Sequence, residues 1–301
     1  MTERSPTILR TVLANSPLSA PLRSAELTSP DVALDFVDVS PVHKAFAPMV
    51  RQQAYDLSEL AIVTALQAIA YERRIVLLPA VVASRFQRGC IIAYGPRGPL
   101  SPQELPGKRI GVRSYTQTTG MWVRAHLVED YGLSTQNMRW LTHDPAHVEQ
   151  YRDPPFVRHM AGDKSLPDML RDGDIDAAIF GNDLPTGDEF VPVIEEAAAR
   201  DRAWSAQHGF VPINHMLSAS SGACERHPHA VKAVFQLLRD AASRTPSTSG
   251  EPRRTVFGFE SLREPVAWVI DACVEQHLLP RRLSIDEVFG PAEKILGASL
   301  D

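Results

Sequence analysis

The chain has 301 residues, 44% of them hydrophobic and 22% charged, which is the make-up of a folded protein long enough for two lobes or one large domain. A net charge of −5 argues against a nucleic-acid partner, which would gather basic charge into a patch. Cys90, Cys224 and Cys273 are odd in number and far apart, so they fit neither a disulfide framework nor a metal knuckle and point to a reducing compartment.

The opening MTERSPTILRTVLANSPL lacks the charged start, long apolar stretch and small-residue cleavage site of a secretory leader. No run of about 18 apolar residues is present to cross a membrane, so a cytoplasmic chain without a membrane partner is expected. Strands are predicted at Thr7 to Ala14 and Ala33 to Val39, and a helix from Pro41 to Gln53. After a short extended Tyr55-Asp56-Leu57, the apolar positions Leu60, Ile62, Val63, Leu66 and Ile69 recur at helical spacing and predict a helix from Ser58 to Glu72. Ser58 would be its N-cap, and Glu59 would lie in its first turn.

Apolar strands follow at Ile75 to Leu78 and Cys90 to Tyr94, with Ser84-Arg85-Phe86-Gln87-Arg88 just before the second. Arg85 and Arg88 are candidates to bind an acidic ligand. The Pro- and Gly-dense run Gly95 to Lys108 is the candidate crossover into a second block. That block starts with a strand, Arg109 to Val112, and a polar turn, Arg113-Ser114-Tyr115-Thr116-Gln117-Thr118-Thr119. An amphipathic helix carrying Met121, Trp122, Ala125, Leu127 and Val128 then runs to Tyr131-Gly132. A strand feeding a helix N-terminus through hydroxyl and amide side chains makes an anion seat, because the first-turn N–H groups lack helical partners and carry the positive end of the dipole. Arg113 adds a guanidinium able to grip a carboxylate with two hydrogen bonds. The competing reading of the threonines is helix capping alone.

Further along, a strand is predicted at Met138 to Thr142, a helix at Leu166 to Arg171 and a strand at Asp176 to Phe180. Val211 to Ser218, VPINHMLS, returns as a strand carrying Asn214 and His215. Helices at Pro228 to Ser243, Glu264 to Gln276 and Ile285 to Leu296 close the chain, with a solvated loop over Arg244 to Arg254. The alternation predicts α/β layering with mostly parallel sheets. It also predicts two lobes: residues 1–95 with 212–301, and an inserted 96–211, joined by two crossovers around a central cleft. That is the layout of a periplasmic-binding-protein-like fold, which binds ligands between its lobes.

His215, in an apolar strand beside the second crossover, is the candidate proton donor. His143 and His147 stand four apart as a helical metal pair would, but Asp144-Pro145 between them predicts a turn. His227-Pro228-His229 reads as surface. There is no phosphate loop, G-x-S-x-G elbow or H-E-x-x-H, so phosphoryl transfer, serine hydrolysis and zincin chemistry lose support.

The segments GKRIGVRSYTQTTGMWVRAHLVEDYGL, YDLSEL, SRFQRGCIIAY, AHVEQYRDPP, KSLPDMLRDGDIDAAI, INHML and FGFESLREPV together resemble the 4,5-dihydroxyphthalate decarboxylases, enzymes of aromatic-acid catabolism built on the type II periplasmic-binding-protein-like fold. The resemblance covers most of the chain. It implies loss of CO2 from a hydroxylated aromatic dicarboxylate, with no cofactor called for and with metal dependence and self-association left open. His215 and Glu59 would be catalytic. Ser58, Arg85, Arg88, Arg113, Tyr115, Thr116, Gln117, Thr118, Thr119 and Asn214 would hold the substrate. One departure is Gly89, where the family usually has a His after the second arginine. Two other readings share the fold: a solute-binding protein for an aromatic acid or similar small anion, and another cytosolic enzyme such as a chorismate-type dehydratase.

Overall fold

In a computed structural model, which describes residues 5–244 and 253–297, twelve strands form two six-stranded mixed sheets. Strands β1 (Thr7–Val12), β2 (Val32–Phe36), β3 (Leu57–Ala61) and β4 (Ile75–Ser84) come first. The middle of the chain contributes β5 (Ile91–Tyr94), β6 (Arg109–Val112), β7 (Arg139–Thr142), β8 (Val157–His159), β9 (Ala177–Ile179) and β10 (Phe190–Pro192). Strands β11 (Ile213–Ser220) and β12 (Val256–Phe257) follow. The first sheet has the order β12-β4-β11-β3-β1-β2 and the second β10-β5-β9-β6-β7-β8. This two-lobed α/β architecture is the one expected. Most of the loop predicted over Arg244 to Arg254 lies outside the described residues.

The sheets are more mixed than the alternation suggested. The returning strand β11 runs antiparallel to both β3 and β4, and β5 runs antiparallel to β9 and β10. The chain also changes sheets earlier than its Pro- and Gly-rich run implied. Strand β5 already pairs in the second sheet, so the first passage lies between Ser84 and Ile91, and Gly95 to Lys108 is a run of short turns within the second lobe. The second passage meets the first directly, with the Arg85 N–H donating to the Pro212 carbonyl at 3.1 Å.

A second correction bears on the site. Leu57–Ala61 is a strand inside the first sheet, and the helix begins only at Ile62, running to Ala70. Ser58 therefore caps nothing; it is fully buried between β1 and β11 and accepts the Ser218 hydroxyl on its carbonyl at 2.8 Å. The apolar spacing that suggested one helix is a strand followed by a helix, and pairing on both edges overrides local preference. The predicted Pro41 to Gln53 helix is likewise split into a 3-10 turn, Val42–Ala45, and a helix, Phe46–Gln52.

Close packing fixes the second lobe. A Cβ on Gly111 in β6 would fall 2.6 Å from Ile175 Cδ1 and 2.8 Å from Leu166 Cδ2, so any other residue here would have to displace those two side-chain ends. Helix Phe259–Glu275 crosses back onto the second lobe, where Trp268 stacks on Trp122 of helix Thr118–Tyr131 at 4.6 Å and 11°. Trp122 is fully buried, and complete burial of a large apolar side chain contributes about 1.5–3 kcal/mol.

Arg88 is a structural staple, not a wall of the cleft. It is 1% exposed, donating from Nε and Nη2 to Asp130 at 2.8 and 3.0 Å and from Nη1 to Asp201 at 2.9 Å. These bonds tie the first passage to helices Thr118–Tyr131 and Ala197–His208. Burial alone would lower the Arg88 pKa, but the hydrogen bonds to both aspartates outweigh it and hold it up. Gly89 lies beside Ala197 on the same side, so the family's usual His at this position would sit next to the staple.

Candidate active site

Between the sheets lies a cavity of about 790 Å³. Its first-lobe wall is made by the end of β1, the Asp38 to Phe46 segment, Ala61, Thr64, the end of β4, Asn214 and His215. Its second-lobe wall is made by Arg113, Thr116 to Thr119 and Ile179 to Asp183. Of the twelve site residues expected from sequence, eight therefore line one cavity: Arg85, Arg113, Thr116, Gln117, Thr118, Thr119, Asn214 and His215. Glu59 stands directly behind them. Ser58 and Arg88 are buried elsewhere, and Tyr115 is fully buried behind the turn, where its hydroxyl donates to the Gln276 carbonyl at 3.2 Å.

The first-lobe wall carries an acid–imidazole pair. In the antiparallel register of β3 and β11, His215 faces Ala61 and Leu217 faces Glu59, so His215 and Glu59 are diagonal neighbours on one face. His215 Nδ1 lies 2.8 Å from Glu59 Oε1, while Glu59 Oε2 accepts the Ala14 N–H at 2.7 Å. The carboxylate is thus held at both oxygens, and an Nδ1–H donated to it fixes the imidazole tautomer and leaves Nε2 for the cavity. Phe46 packs edge-on against the His215 ring at 5.2 Å and limits its rotation.

The second-lobe wall is built to receive negative charge. Gln117 is the backbone N-cap of helix Thr118–Tyr131 without a side-chain capping bond. Nor do the threonines cap it: the Thr118 hydroxyl accepts the Val63 N–H at 3.4 Å, and the Thr119 hydroxyl accepts from Arg85 Nη2 at 2.8 Å. Since Val63 opens helix Ile62–Ala70, two helix N-termini converge on the same space and their dipoles add there. Arg85 is aimed from the first passage, its Nη1 donating to the Gly181 carbonyl at 3.0 Å. Among the described residues, buried Arg85 Nε and Gln117 Oε1 have no hydrogen-bond partner, which leaves polar capacity for a bound molecule.

Arg113 bridges the lobes. Its Nη1 donates to His43 Nε2 at 2.5 Å, and its Nε lies 3.5 Å from Asp144 Oδ2. His43 accepts this bond only as the neutral imidazole, and burial first, then the Arg113 charge, lowers its pKa. A second interlobe contact joins Thr64 Oγ1 to His147 Nδ1 at 2.8 Å. His147 is lowered to about 4, by burial first and then by Arg113, so it is neutral at ordinary pH.

His43 and His147 line the cavity and were not anticipated as site residues. His43 was hidden in a segment read as one helix, and His147 was weighed only as a metal ligand. Among the described residues no group of three or more His, Cys, Asp or Glu is arranged to hold a metal.

Comparison with known proteins agrees with this architecture. No family model matches the chain. It is 26% identical to a 4,5-dihydroxyphthalate decarboxylase of Comamonas testosteroni, over 93% of this chain and 94% of that protein. It is 27% identical to one of Pseudomonas putida, over 58% of this chain and 73% of that protein. Among solved structures, the alkanesulfonate-binding protein SsuA of Xanthomonas axonopodis pv. citri shares the fold with a TM-score of 0.58 at 14% identity, covering 96% of this chain and 99% of that one. By sequence, over nearly its whole length, the chain is similar to a 4,5-dihydroxyphthalate decarboxylase, and by architecture it has a two-lobed periplasmic-binding-protein-like fold.

Proposed function

We propose that the protein is a carboxy-lyase that removes CO2 from a hydroxylated aromatic dicarboxylate of the 4,5-dihydroxyphthalate type, leaving a protocatechuate-like product. A role in cytoplasmic aromatic catabolism belongs to this reading. The observation that carries it is the pairing of an oriented imidazole, His215 on Glu59, with an anion-accepting wall across one cavity. The decarboxylase relatives support the same assignment.

In this reading Arg85, Arg113 and the N-terminus of helix Thr118–Tyr131 hold the carboxylates, and Asn214 borders the ring. The amide of Asn214 is itself fixed, its Oδ1 accepting from Gln87 Nε2 at 2.5 Å. A ring hydroxyl para to the departing carboxylate pushes electrons toward the carbon bearing it. His215 Nε2 delivers a proton to that carbon. The carbon–carbon bond then breaks, CO2 leaves, and the bonding electrons restore the aromatic ring. Glu59 stabilises the imidazolium before transfer, and the arginines contribute mainly by orientation.

Incubation with 4,5-dihydroxyphthalate, with CO2 and protocatechuate measured together, tests the reading. Stoichiometric release of both is expected. Tight binding of the dicarboxylate without turnover would instead favour a solute carrier on the same fold.

A further inference from the structure

Behind the anion-accepting turn lies a cation that forms no salt bridge with a carboxylate among the described residues. Arg124, on helix Thr118–Tyr131, is fully buried. Its side chain runs back toward the helix start, as helical side chains do, and Nη1 lies 3.1 Å from where a Cβ on Gly120 would stand. Nη2 donates to the Tyr115 carbonyl at 2.8 Å and Nε to Gln276 Oε1 at 2.7 Å. The guanidinium also lies over the Tyr115 ring at 4.0 Å and the Trp140 ring at 5.1 Å. Every one of these partners is uncharged, and among the described residues Nη1 has no hydrogen-bond partner. Asp153 is the acid that feels Arg124 at longer range, but burial dominates there and raises its pKa.

An unpaired buried guanidinium is costly, and a helix N-terminus of like sign beside it adds to the cost. The cavity face of this same turn is Thr116 to Thr119, so negative charge bound there would offset the buried cation behind it. Gln276, just past helix Phe259–Glu275, holds the assembly: it also donates from Nε2 to the Met121 carbonyl at 3.0 Å and accepts the Tyr115 hydroxyl on its carbonyl at 3.2 Å.

We propose that Arg124 is a positioning residue for the reaction: held by Gln276, it shapes the turn through Tyr115 and adds positive potential at the seat, so that a bound aromatic carboxylate is its counter-charge. The identity of that ligand rests on the decarboxylase reading above.

Gln276→Glu tests it, placing a near-isosteric carboxylate on Arg124 Nε. The dissociation constant for 4,5-dihydroxyphthalate should rise about tenfold, with turnover at saturation changed less than about threefold and cooperative unfolding retained. Arg124→Met should reproduce the loss of affinity, while Arg124→Lys, which keeps the charge, should stay within about threefold of the parent. Unchanged affinity in folded Gln276→Glu would overturn the role of Arg124. Were that variant not to fold, equal affinities in the Met and Lys variants would overturn it. A parent protein that binds neither 4,5-dihydroxyphthalate nor phthalate would overturn the decarboxylase reading, and this inference with it.

Discussion

Glu59 and His215 meet at 2.8 Å across adjacent antiparallel strands, with the other oxygen of Glu59 locked onto the Ala14 N–H. Two strands of one sheet, β3 and β11, and the segment just past β1 thereby aim a single imidazole at the cleft. A rigid sheet is a better mount for such a pair than a loop, because neither strand can move without breaking its ladder. In the proposed reaction the lobes divide the labour: the first presents the proton, and the second seats the acid.

Glu59→Gln keeps the shape of this contact and removes its charge. Turnover should fall by about 10- to 100-fold at unchanged substrate affinity, since the imidazolium loses its stabilising partner. Steady-state kinetics with 4,5-dihydroxyphthalate read both quantities, and an unaltered turnover number would show that the carboxylate only positions the ring.

Arg113 should act on binding. Replacing it with Ala removes a charge-assisted clamp, and the dissociation constant for the dicarboxylate should rise about 10- to 100-fold by calorimetry. His43→Phe removes the acceptor that Arg113 Nη1 uses, so a smaller loss in the same direction is expected. Full affinity in Arg113→Ala would remove it from the seat.

Arg88 gives the opposite pattern. Arg88→Met strands Asp130 and Asp201 without their cation, and unfolding free energy should drop by about 3–5 kcal/mol in a denaturant titration. At temperatures where the variant is folded, affinity for the dicarboxylate should match the parent. A selective loss of affinity at full stability would return Arg88 to the ligand site.

His147 sets a pH window for stability. Its folded pKa is depressed to about 4 from the ordinary 6.5, so between these values the unfolded chain binds the proton and the folded chain does not. Its contribution is therefore fully present above pH 6.5 and is lost as pH falls toward about 4. His147→Gln should flatten the parent's loss of stability across that interval; identical pH profiles from thermal unfolding would contradict the assignment.

Most of the fold was legible because its signals are local. Apolar strands such as Ile91–Tyr94 and the strand–turn–helix block at Arg109 to Tyr131 stand out by composition and period alone. Where pairing partners decide, the sequence was silent: nothing in Leu57–Ala61 tells that β1 and β11 will flank it, or that β5 crosses into the second sheet. The site followed the same rule. The hydroxyl-rich turn and His215 carry recognisable chemistry, whereas Arg85 and Arg88 look alike until Asp130 and Asp201 claim one of them. His43 and His147 became visible only once the lobes were brought together.

The most direct test of the account is turnover of 4,5-dihydroxyphthalate by His215→Asn, with affinity measured on the same preparation. The account expects CO2 release to fall by at least about 100-fold while the dissociation constant stays within about threefold of the parent. Parent-like CO2 release from the folded variant would contradict the claim that His215 delivers the proton.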